Sequence, residues 1–305
     1  MMKIKILIIV LWCSLSTFAQ QESHYTQYMY NMSVVNPAYM INEPGLFQVG
    51  SLYRSQWIGV TGAPITANVF AHIPINEQIE LSINYVNDKI GSDISIAKNI
   101  FNLDAAYKIK LNEETNLSFG LKLGIDNLAF NSSNSNVSSD PLFEDVNKNY
   151  FTAGAGAFLF KENYYVGLSV PNLLPSKITA NDNGSLYKSK QHFYLIGGYV
   201  FDVSNAFKVK PSFVVKEIFG TPLSFDVSLN ILYNNRFELG AAYRFDESIS
   251  GLVAINITPS LRLGYAYDYN TNNLKDYNKG SHEFMLLYKF DLLNLKKKYS
   301  SPRFY

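Results

Sequence analysis

The chain has 305 residues, which allows one large domain or two small ones. Its net charge is +1 with 17% charged residues, so the composition gives no general attraction to nucleic acid. The mean hydropathy of -0.04 excludes a bundle of membrane helices, but it allows a membrane β-barrel, whose strands alternate apolar with polar residues.

The first residues are typical of a secretory signal peptide. A charged start at Lys3 and Lys5 precedes an apolar core and a small-x-small cleavage site at residues 17–19. We therefore expect residues 1–19 to be removed. The single cysteine, Cys13, lies in this segment, so the mature chain would hold neither a disulfide nor a thiol nucleophile.

The next segment, residues 20–45, shows no clean hydrophobic period. It is rich in tyrosine, and Pro37 favours extended backbone at Asn36. So many aromatic side chains are unusual in a disordered leader. We interpret the segment as an ordered N-terminal extension that lies in the periplasm or plugs a barrel.

From Leu46 to Phe290, about fourteen runs alternate apolar with polar residues. In residues 117–126, five large apolar residues alternate with Ser118, Gly120, Lys122, Gly124 and Asp126. A strand buried on both faces would not carry charges at every second position, whereas lipid on one face and a polar lumen on the other explain the pattern. A large soluble β-sandwich also alternates and is the competing interpretation.

The connections between these runs fall into two classes. Short polar turns are expected at 76–77, 112–114, 161–163, 234–235 and 258–260. Long polar connections are expected at 126–149, 171–189 and 269–281. This alternation predicts an all-β fold: a transmembrane antiparallel β-barrel of about 14 strands over residues 46–290, with short periplasmic turns and longer extracellular loops.

The end of the predicted barrel supports the same topology. The last run, residues 282–290, ends on an aromatic and resembles the terminal-strand signal that the barrel assembly machinery reads. An even strand count places both chain ends on the periplasmic side, together with a C-terminal tail over residues 291–305. Its basic run at 296–298 is most simply a solvated end, with docking as the less favoured interpretation.

Two features concern the predicted lumen. Charged residues on the polar faces could line a water channel or form internal ion pairs: Asp104, Lys108, Lys110, Lys122, Asp226, Glu238, Arg244, Arg262 and Asp268. Small residues on the strands suggest close packing against something inside, either the extension or the end of a partner: Gly154, Gly156, Gly197, Gly198, Gly240 and Gly264.

The sequence lacks the residue patterns of common active sites. No nucleophile elbow, glycine-rich phosphate loop or EF-hand loop is present. His282 and Glu283 begin a zincin-like pattern but lack the second histidine, so no metal site is expected. Acidic and amide residues at 140–149 could bind calcium, although a solvated loop is the favoured interpretation. We expect no catalytic, cofactor-binding or metal site, and no enzyme.

An ordered set of short motifs along the chain resembles a known family. The motifs are Gln27-Tyr28, Asn36-Pro37-Ala38-Tyr39, Arg54-Ser55-Gln56-Trp57, Asp140-Pro141, Gly167-Leu168-Ser169-Val170, Tyr243-Arg244, Gly264-Tyr265, Tyr267-Asp268 and Ser281-His282-Glu283. In this order they resemble PorP/SprF-like proteins, outer-membrane components of the type IX secretion system of Bacteroidetes.

The resemblance implies an integral outer-membrane protein with one of two binding functions. It is either a core component linked to the periplasmic ring of the secretion machine, or a partner that anchors an exported adhesin at the cell surface, as in gliding motility. The implied partners are outer-membrane lipid, a secreted surface protein and periplasmic secretion-machine proteins, with no nucleic acid and no cofactor. The alternative function is a passive porin or a channel for hydrophobic solutes.

Four residues are candidates for partner binding: Asn36, Pro37, Arg54 and Trp57. The first two lie in the extension, and the other two lie at the end of the first predicted strand. Trp and Arg are the residue types most often found as binding anchors, because each combines a large contact area with polar reach. The alternative for Arg54 and Trp57 is an ordinary place at the membrane interface.

Overall fold

A computed structural model describes the chain over residues 25–43, 45–132, 145–174, 177–181 and 184–291. The predicted signal peptide, nearly all of the predicted C-terminal tail and the candidate calcium-binding residues at 140–144 lie outside these ranges. Within them, no helix is both long and apolar enough to cross a membrane.

Seventeen strands follow one another along the described chain. The first nine are β1 (Leu46–Ser55), β2 (Ile65–Pro74), β3 (Ile79–Gly91), β4 (Ser95–Lys110), β5 (Asn116–Asn131), β6 (Val146–Phe160), β7 (Tyr164–Val170), β8 (Lys177–Asn181) and β9 (Gly184–Lys188). The others are β10 (His192–Tyr199), β11 (Phe201–Asp202), β12 (Phe207–Ile218), β13 (Ser224–Tyr233), β14 (Phe237–Arg244), β15 (Ser248–Asn256), β16 (Leu261–Asn270) and β17 (Ser281–Asp291).

The strands close into one antiparallel barrel. β1 pairs with β17 from Leu46↔Asp291 to Ser55↔His282, which joins the two ends of the sheet. β10 and β11 both pair with β12 and act as one strand, while β8 and β9 form a separate hairpin in the connection before β10. The barrel therefore has fourteen strands, as the sequence predicts. Closure leaves no sheet edge in lipid, where unpaired backbone groups cost several kcal/mol each.

The alternation of residue types places each side chain on the expected face. In β5, Leu121 and Leu123 are 67% and 66% exposed on the outside, whereas Lys122 between them is 2% exposed inside. The apolar residues of 117–125 therefore face lipid. At about 3.3 Å per residue and a tilt of about 40°, they cover about 20 Å of membrane, close to the apolar band of such barrels.

A row of asparagines marks one border of this apolar band, toward the ends of β3 and β5. The outward row Tyr85, Phe101, Ile125 and Phe151 is followed two residues further on by Asn87, Asn99, Asn127 and Asn149. Their amides form a ladder, with 2.7 Å from Asn87 Nδ2 to Asn99 Oδ1 and 2.7 Å from Asn127 Nδ2 to Asn149 Oδ1. Uncompensated amides would be costly in lipid, so this row lies at the polar membrane surface.

The two ends of the barrel differ as predicted. All five predicted short turns lie at one end, together with the start of β1 and the end of β17. The other end carries the longer connections at 56–64, 132–145, 171–191 and 271–280. This end also has three short connections, at 92–94, 219–223 and 245–247, so length alone does not separate the two rims.

One predicted loop is partly strand. The long connection expected at 126–149 begins only after Asn131, because β5 and β6 stay paired out to Phe130↔Val146. Asn127 holds this extension together by donating to Asn147 Oδ1 at 2.6 Å and to Asn149 Oδ1. The sequence suggested a loop because these positions are polar, but beyond the membrane surface a strand faces water on both sides.

This topology predicts which tags are reachable on intact cells. An epitope tag in the 132–145 connection should be labelled, because the long-loop end faces outside. A tag of the same length at residues 112–114, in a short periplasmic turn, should be labelled only after the outer membrane is opened. Labelling of the second tag alone on intact cells would invert the topology.

Candidate functional site

The space inside the barrel is occupied by the chain's own N-terminal extension. Residues 25–41, here called the plug, are buried apart from the partly exposed Val34. Two short 3-10 helices, Tyr28–Tyr30 and Met32–Val34, form its first half. Its side chains make the main hydrophobic cluster together with lumen-facing residues such as Phe70 and Phe158.

The beginning of the plug is held by two acidic side chains of the last strands. Glu283 accepts the backbone N–H groups of Thr26 at 2.9 Å and Gln27 at 2.7 Å. Asp268 accepts the hydroxyl of Thr26 at 2.8 Å. Arg54 of β1 lies between the two carboxylates, 3.1 Å from Glu283 Oε2, and neutralises part of their charge. Such charge-assisted bonds are about twice as strong as neutral ones.

A second polar contact fixes Tyr30. Its hydroxyl donates to Glu238 Oε2 at 3.1 Å, and Arg262 pairs with the same carboxylate. The guanidinium carbon of Arg262 also lies 5.2 Å from the centre of the Tyr30 ring, which is within cation–π range. Burial raises the pKa of the Tyr30 phenol, so the hydroxyl stays protonated and remains a donor.

The middle of the plug is bound by amide side chains of β2 and β3. Asn31 Nδ2 donates to Asn68 Oδ1 and to Asn84 Oδ1, each at 2.8 Å. Asn84 Nδ2 in turn donates to Ser33 Oγ at 3.0 Å. These side-chain bonds tie the turn between the two 3-10 helices to the barrel wall.

The end of the plug is bound by Lys122 and Glu80. Lys122 Nζ donates to the carbonyl oxygens of Ser33 at 3.0 Å and Val34 at 3.3 Å. Glu80 accepts the backbone N–H of Ile41 at 2.8 Å. These two charged side chains thus bond to backbone groups of the irregular plug. Without such bonds, those backbone groups would be buried without partners.

Glycines in the wall let Asn36 and Pro37 approach closely. A side chain at Gly120 would collide with the carbonyl of Pro37, and one at Gly156 would collide with the amide of Asn36. Asn36 Nδ2 donates to the carbonyl of Ala157 at 3.1 Å. The plug therefore lies directly on the backbone of β5 and β6 at this point.

Seven of the nine predicted lumen charges form ion pairs. Inside the barrel, ion pairs join Lys122 to Asp104, Arg244 to Asp226, Arg262 to Glu238 and Asp268 to Arg54. Lys108 donates to Asn42 Oδ1 at 2.6 Å, and Lys110 is exposed. Of the two possibilities left by the sequence, these contacts correspond to internal ion pairs rather than to the walls of a water channel.

Near the beginning of the plug, only a small cavity separates the plug from the wall. A cavity of about 10 Å³ lies beside Thr26, Tyr28 and Arg244. That is about the size of one water molecule. The wall and the plug are therefore in contact rather than separated by a solvent layer here.

The four predicted partner-binding residues lie in three places. Asn36 and Pro37 are buried against β5 and β6, and Arg54 is 4% exposed among the carboxylates of β16 and β17. Trp57 lies in the β1–β2 connection at the long-loop rim and is partly exposed. Its backbone N–H donates to Ser281 Oγ at 3.2 Å. The structure brings three of the four into the lumen and separates Trp57 from them.

Two residues that hold the plug were not predicted to bind anything. Glu283 and Glu80 each place a buried carboxylate on the lumen face of a strand. The strand register offers one signal, since Glu283 lies directly opposite Arg54 across β1 and β17. Glu80 gives no such signal, because its bond goes to an irregular segment whose position no periodicity reveals.

The fold and the filled lumen define an outer-membrane β-barrel with an internal plug. Solved barrels are similar: a FadL homologue of Pseudomonas aeruginosa has a TM-score of 0.52 at 11% identity, covering 84% of this chain and 93% of that one. The toluene transporter TodX of Pseudomonas putida has a TM-score of 0.51 at 11% identity, covering 88% and 94%. At these identities the likeness shows the fold alone.

The family is shown by sequence. The model of the type IX secretion system membrane protein PorP/SprF matches residues 17–288, and the chain belongs to this family. The protein is therefore an integral outer-membrane barrel of the type IX secretion system. A search of curated proteins found no match to the sequence.

The close contact at Gly120 predicts how the plug can be displaced. Gly120→Val should push Pro37 and Ala38 away, lower the free energy of unfolding by about 1–3 kcal/mol, and produce ion conductance in planar bilayers. Gly251→Val is the matched control, because nothing lies within 4 Å of a Cβ at that position. A wild-type conductance in the first variant would contradict the position of the plug.

The charges around Arg54 predict a large loss of stability. Arg54→Ala leaves Asp268 and Glu283 buried without their cation, and should lower the free energy of unfolding by about 3–5 kcal/mol in urea titrations. Lys161→Ala removes the cation of the exposed pair with Glu114 and should give no measurable change. Equal effects of the two substitutions would show that the buried pair does not hold the plug.

Proposed function

We propose that this barrel is a non-enzymatic anchor that retains an exported protein, such as an adhesin, at the cell surface during type IX secretion. The observation that carries the proposal is the plug: the lumen binds the chain's own residues 25–41. A barrel whose interior is filled offers its loops and rims to partners rather than a passage to solutes. The charged groups of the lumen described above bond to the plug or form ion pairs within the wall.

The plug also argues against the alternative of a passive porin or hydrophobic-solute channel. Such a channel needs a continuous path, and the lumen charges that would line it are paired across the barrel or bonded to plug backbone. The resemblance to solved transporters supports no substrate for this chain, because it rests on barrel shape at low sequence identity.

The long-loop end favours the anchoring function over the core function. β3, β4, β5 and β6 have 13, 16, 16 and 15 residues, whereas about 9–11 residues cross the membrane. These strands continue for three or four residues beyond the asparagine row, which is about 10 Å at about 3.3 Å per residue and a tilt of about 40°. The short-turn end offers only turns of a few residues, so the larger folded surface faces outside, where an exported protein arrives.

A second function, a core component linked to the periplasmic ring, is supported by a different observation. The last strand ends at the short-turn end, so the residues after Asp291 start on the periplasmic side. The plug instead begins near the long-loop end, where Thr26 bonds Glu283 and Asp268. Segments placed there are available to periplasmic secretion-machine proteins. Both functions are binding functions of a closed barrel.

Deletion of the gene separates the two functions. For an anchor, one or a few proteins should move from the cell surface to the medium, while other type IX cargo is secreted normally. For a core component, all type IX cargo should be retained inside the cell. The measurement is mass spectrometry of the medium and of peptides shaved from intact cells; an unchanged surface and medium would contradict both functions.

A further inference from the structure

Above the membrane, β6 is paired on one side only. It pairs with β5 from Phe160 to Val146 but with β7 only from Phe160 to Ala155. Beyond Ala155 on the β7 side, the described residues make one backbone bond, from Leu173 N to Ala153 O at 2.6 Å. No described strand pairs with this side of β6 at residues 146–152, here called the open edge.

The chain after β7 turns away from this edge. Pro171 packs over Gly154, where an added Cβ would lie 2.5 Å from the Pro171 carbonyl oxygen. Gly154 is on the lumen side, so the chain bends inward across the mouth of the barrel. Asn172 fixes the bend by donating to the carbonyl of Lys190 at 2.6 Å and by accepting the N–H of His192 at 2.8 Å. The hairpin of β8 and β9 pairs only with itself.

The direction of the backbone groups at the open edge follows from the strand geometry. Residues of an antiparallel strand point their N–H and C=O groups alternately to the two sides. Ala153 points toward β7, because its carbonyl accepts from Leu173. Phe151, Asn149 and Asn147 therefore point the same way, toward the open edge, whereas Lys148 points toward β5.

The exposure of Phe151 agrees with the absence of a described strand beside the open edge. Phe151 is 74% exposed, whereas Phe101 in the same outward row, with strands on both sides, is 49% exposed. The open edge has no proline and a single lysine, so it lacks the features that usually prevent strand addition. Because residues 146–149 of the open edge lie at and above the asparagine row, water can solvate their backbone groups until a partner binds.

The open edge is held ready for pairing. Asn127 of β5 donates to Asn147 and Asn149, which fixes the far end of β6 in a strand conformation. A row of alternating N–H and C=O groups is complementary to an extended polypeptide, and neither a lipid headgroup nor a sugar repeats that pattern. The outward neighbour of Phe151 on an added strand would be apolar, because cross-strand aromatic pairs stabilise sheets.

We propose that the open edge of β6 binds an extended segment of the exported protein as an additional strand. This inference rests on the proposed anchoring function and specifies its site and its mode of binding. The exported protein would be held by main-chain hydrogen bonds at the outer membrane surface.

Proline substitution tests the backbone bonds directly. Asn149→Pro removes an N–H that points to the open edge and leaves the β5 ladder intact, as proline on an edge strand does. Asn149→Ala is the matched control, since it removes the same side chain and keeps the N–H. The readout is the surface level of the proteins that depend on this barrel, defined by comparison with the deletion strain, in cells with equal amounts of heat-modifiable barrel.

Asn149→Pro should lower the surface level of the dependent proteins at least fivefold, and Asn149→Ala should keep it within twofold of wild type. Asn147→Pro is the second variant, with the same expectation, for the case in which the first fails to assemble. Equal retention in the proline and alanine variants, or equal loss in both, overturns strand addition and leaves anchoring standing. If no surface protein depends on the barrel, the anchoring function fails, and strand addition fails with it.

Amide exchange on the purified wild-type barrel, followed by nuclear magnetic resonance in detergent, tests the edge without a variant. The amides of Asn147 and Asn149 should exchange at least tenfold faster than that of Lys148, which bonds to β5. Equal protection of all three would show that another part of this chain covers the edge, and would overturn the proposal.

Discussion

The bond between Glu283 and the backbone of Thr26 and Gln27 is the contact on which the rest of the lumen depends. It joins the last strand of the barrel to the beginning of the plug. Two carboxylates, Glu283 and Asp268, are buried next to each other, and that arrangement is tolerable only with strong compensation. Arg54 and the donors of the plug supply it, so the charges and the plug require each other.

This dependence connects the sequence of the extension to the function of the barrel. Without the plug, Glu283, Glu80 and Lys122 would be buried acceptors and donors facing an empty space, and water would have to enter to solvate them. With the plug, the interior is packed and the barrel wall is stiffened from inside. The protein's binding capacity then lies at its two rims, which fits a secretion component better than a pore.

The regular part of the fold is predictable because lipid imposes a simple rule on it. In β5, β13, β14 and β16, the alternation of residue types predicts which side chains point to lipid and which to the lumen. A side chain in a barrel wall has only these two directions. Residues beyond the lipid escape that rule. The sequence therefore predicts Asn127 and Asn149 as loop residues, although they belong to paired strands at the membrane surface.

The site could be predicted only in outline. Gly156 and Gly264 indicated that something packs against the wall, and both do meet the plug, at Asn36 and Gln27. Gly154, Gly197, Gly198 and Gly240 instead accommodate the barrel's own residues. Arg54 is predicted as a partner-binding residue, whereas it binds Asp268 and Glu283, which are more than 200 positions away in the sequence. Contacts between an irregular segment and a closed sheet produce no periodic sequence pattern, so the sequence does not predict them.

The central claim is that residues 25–41 fold inside the barrel in the native membrane. Asn31 Nδ2 lies 2.8 Å from Asn84 Oδ1 on the lumen face of β3, whereas Asn127 lies on the outside. The most direct measurement is cross-linking in intact cells with a short reagent that carries two thiol-reactive alkylating groups. The pair Asn31→Cys with Asn84→Cys should cross-link in most molecules, and the pair Asn31→Cys with Asn127→Cys should not. Failure of the first pair in correctly assembled barrels, or equal cross-linking of both, would contradict the account.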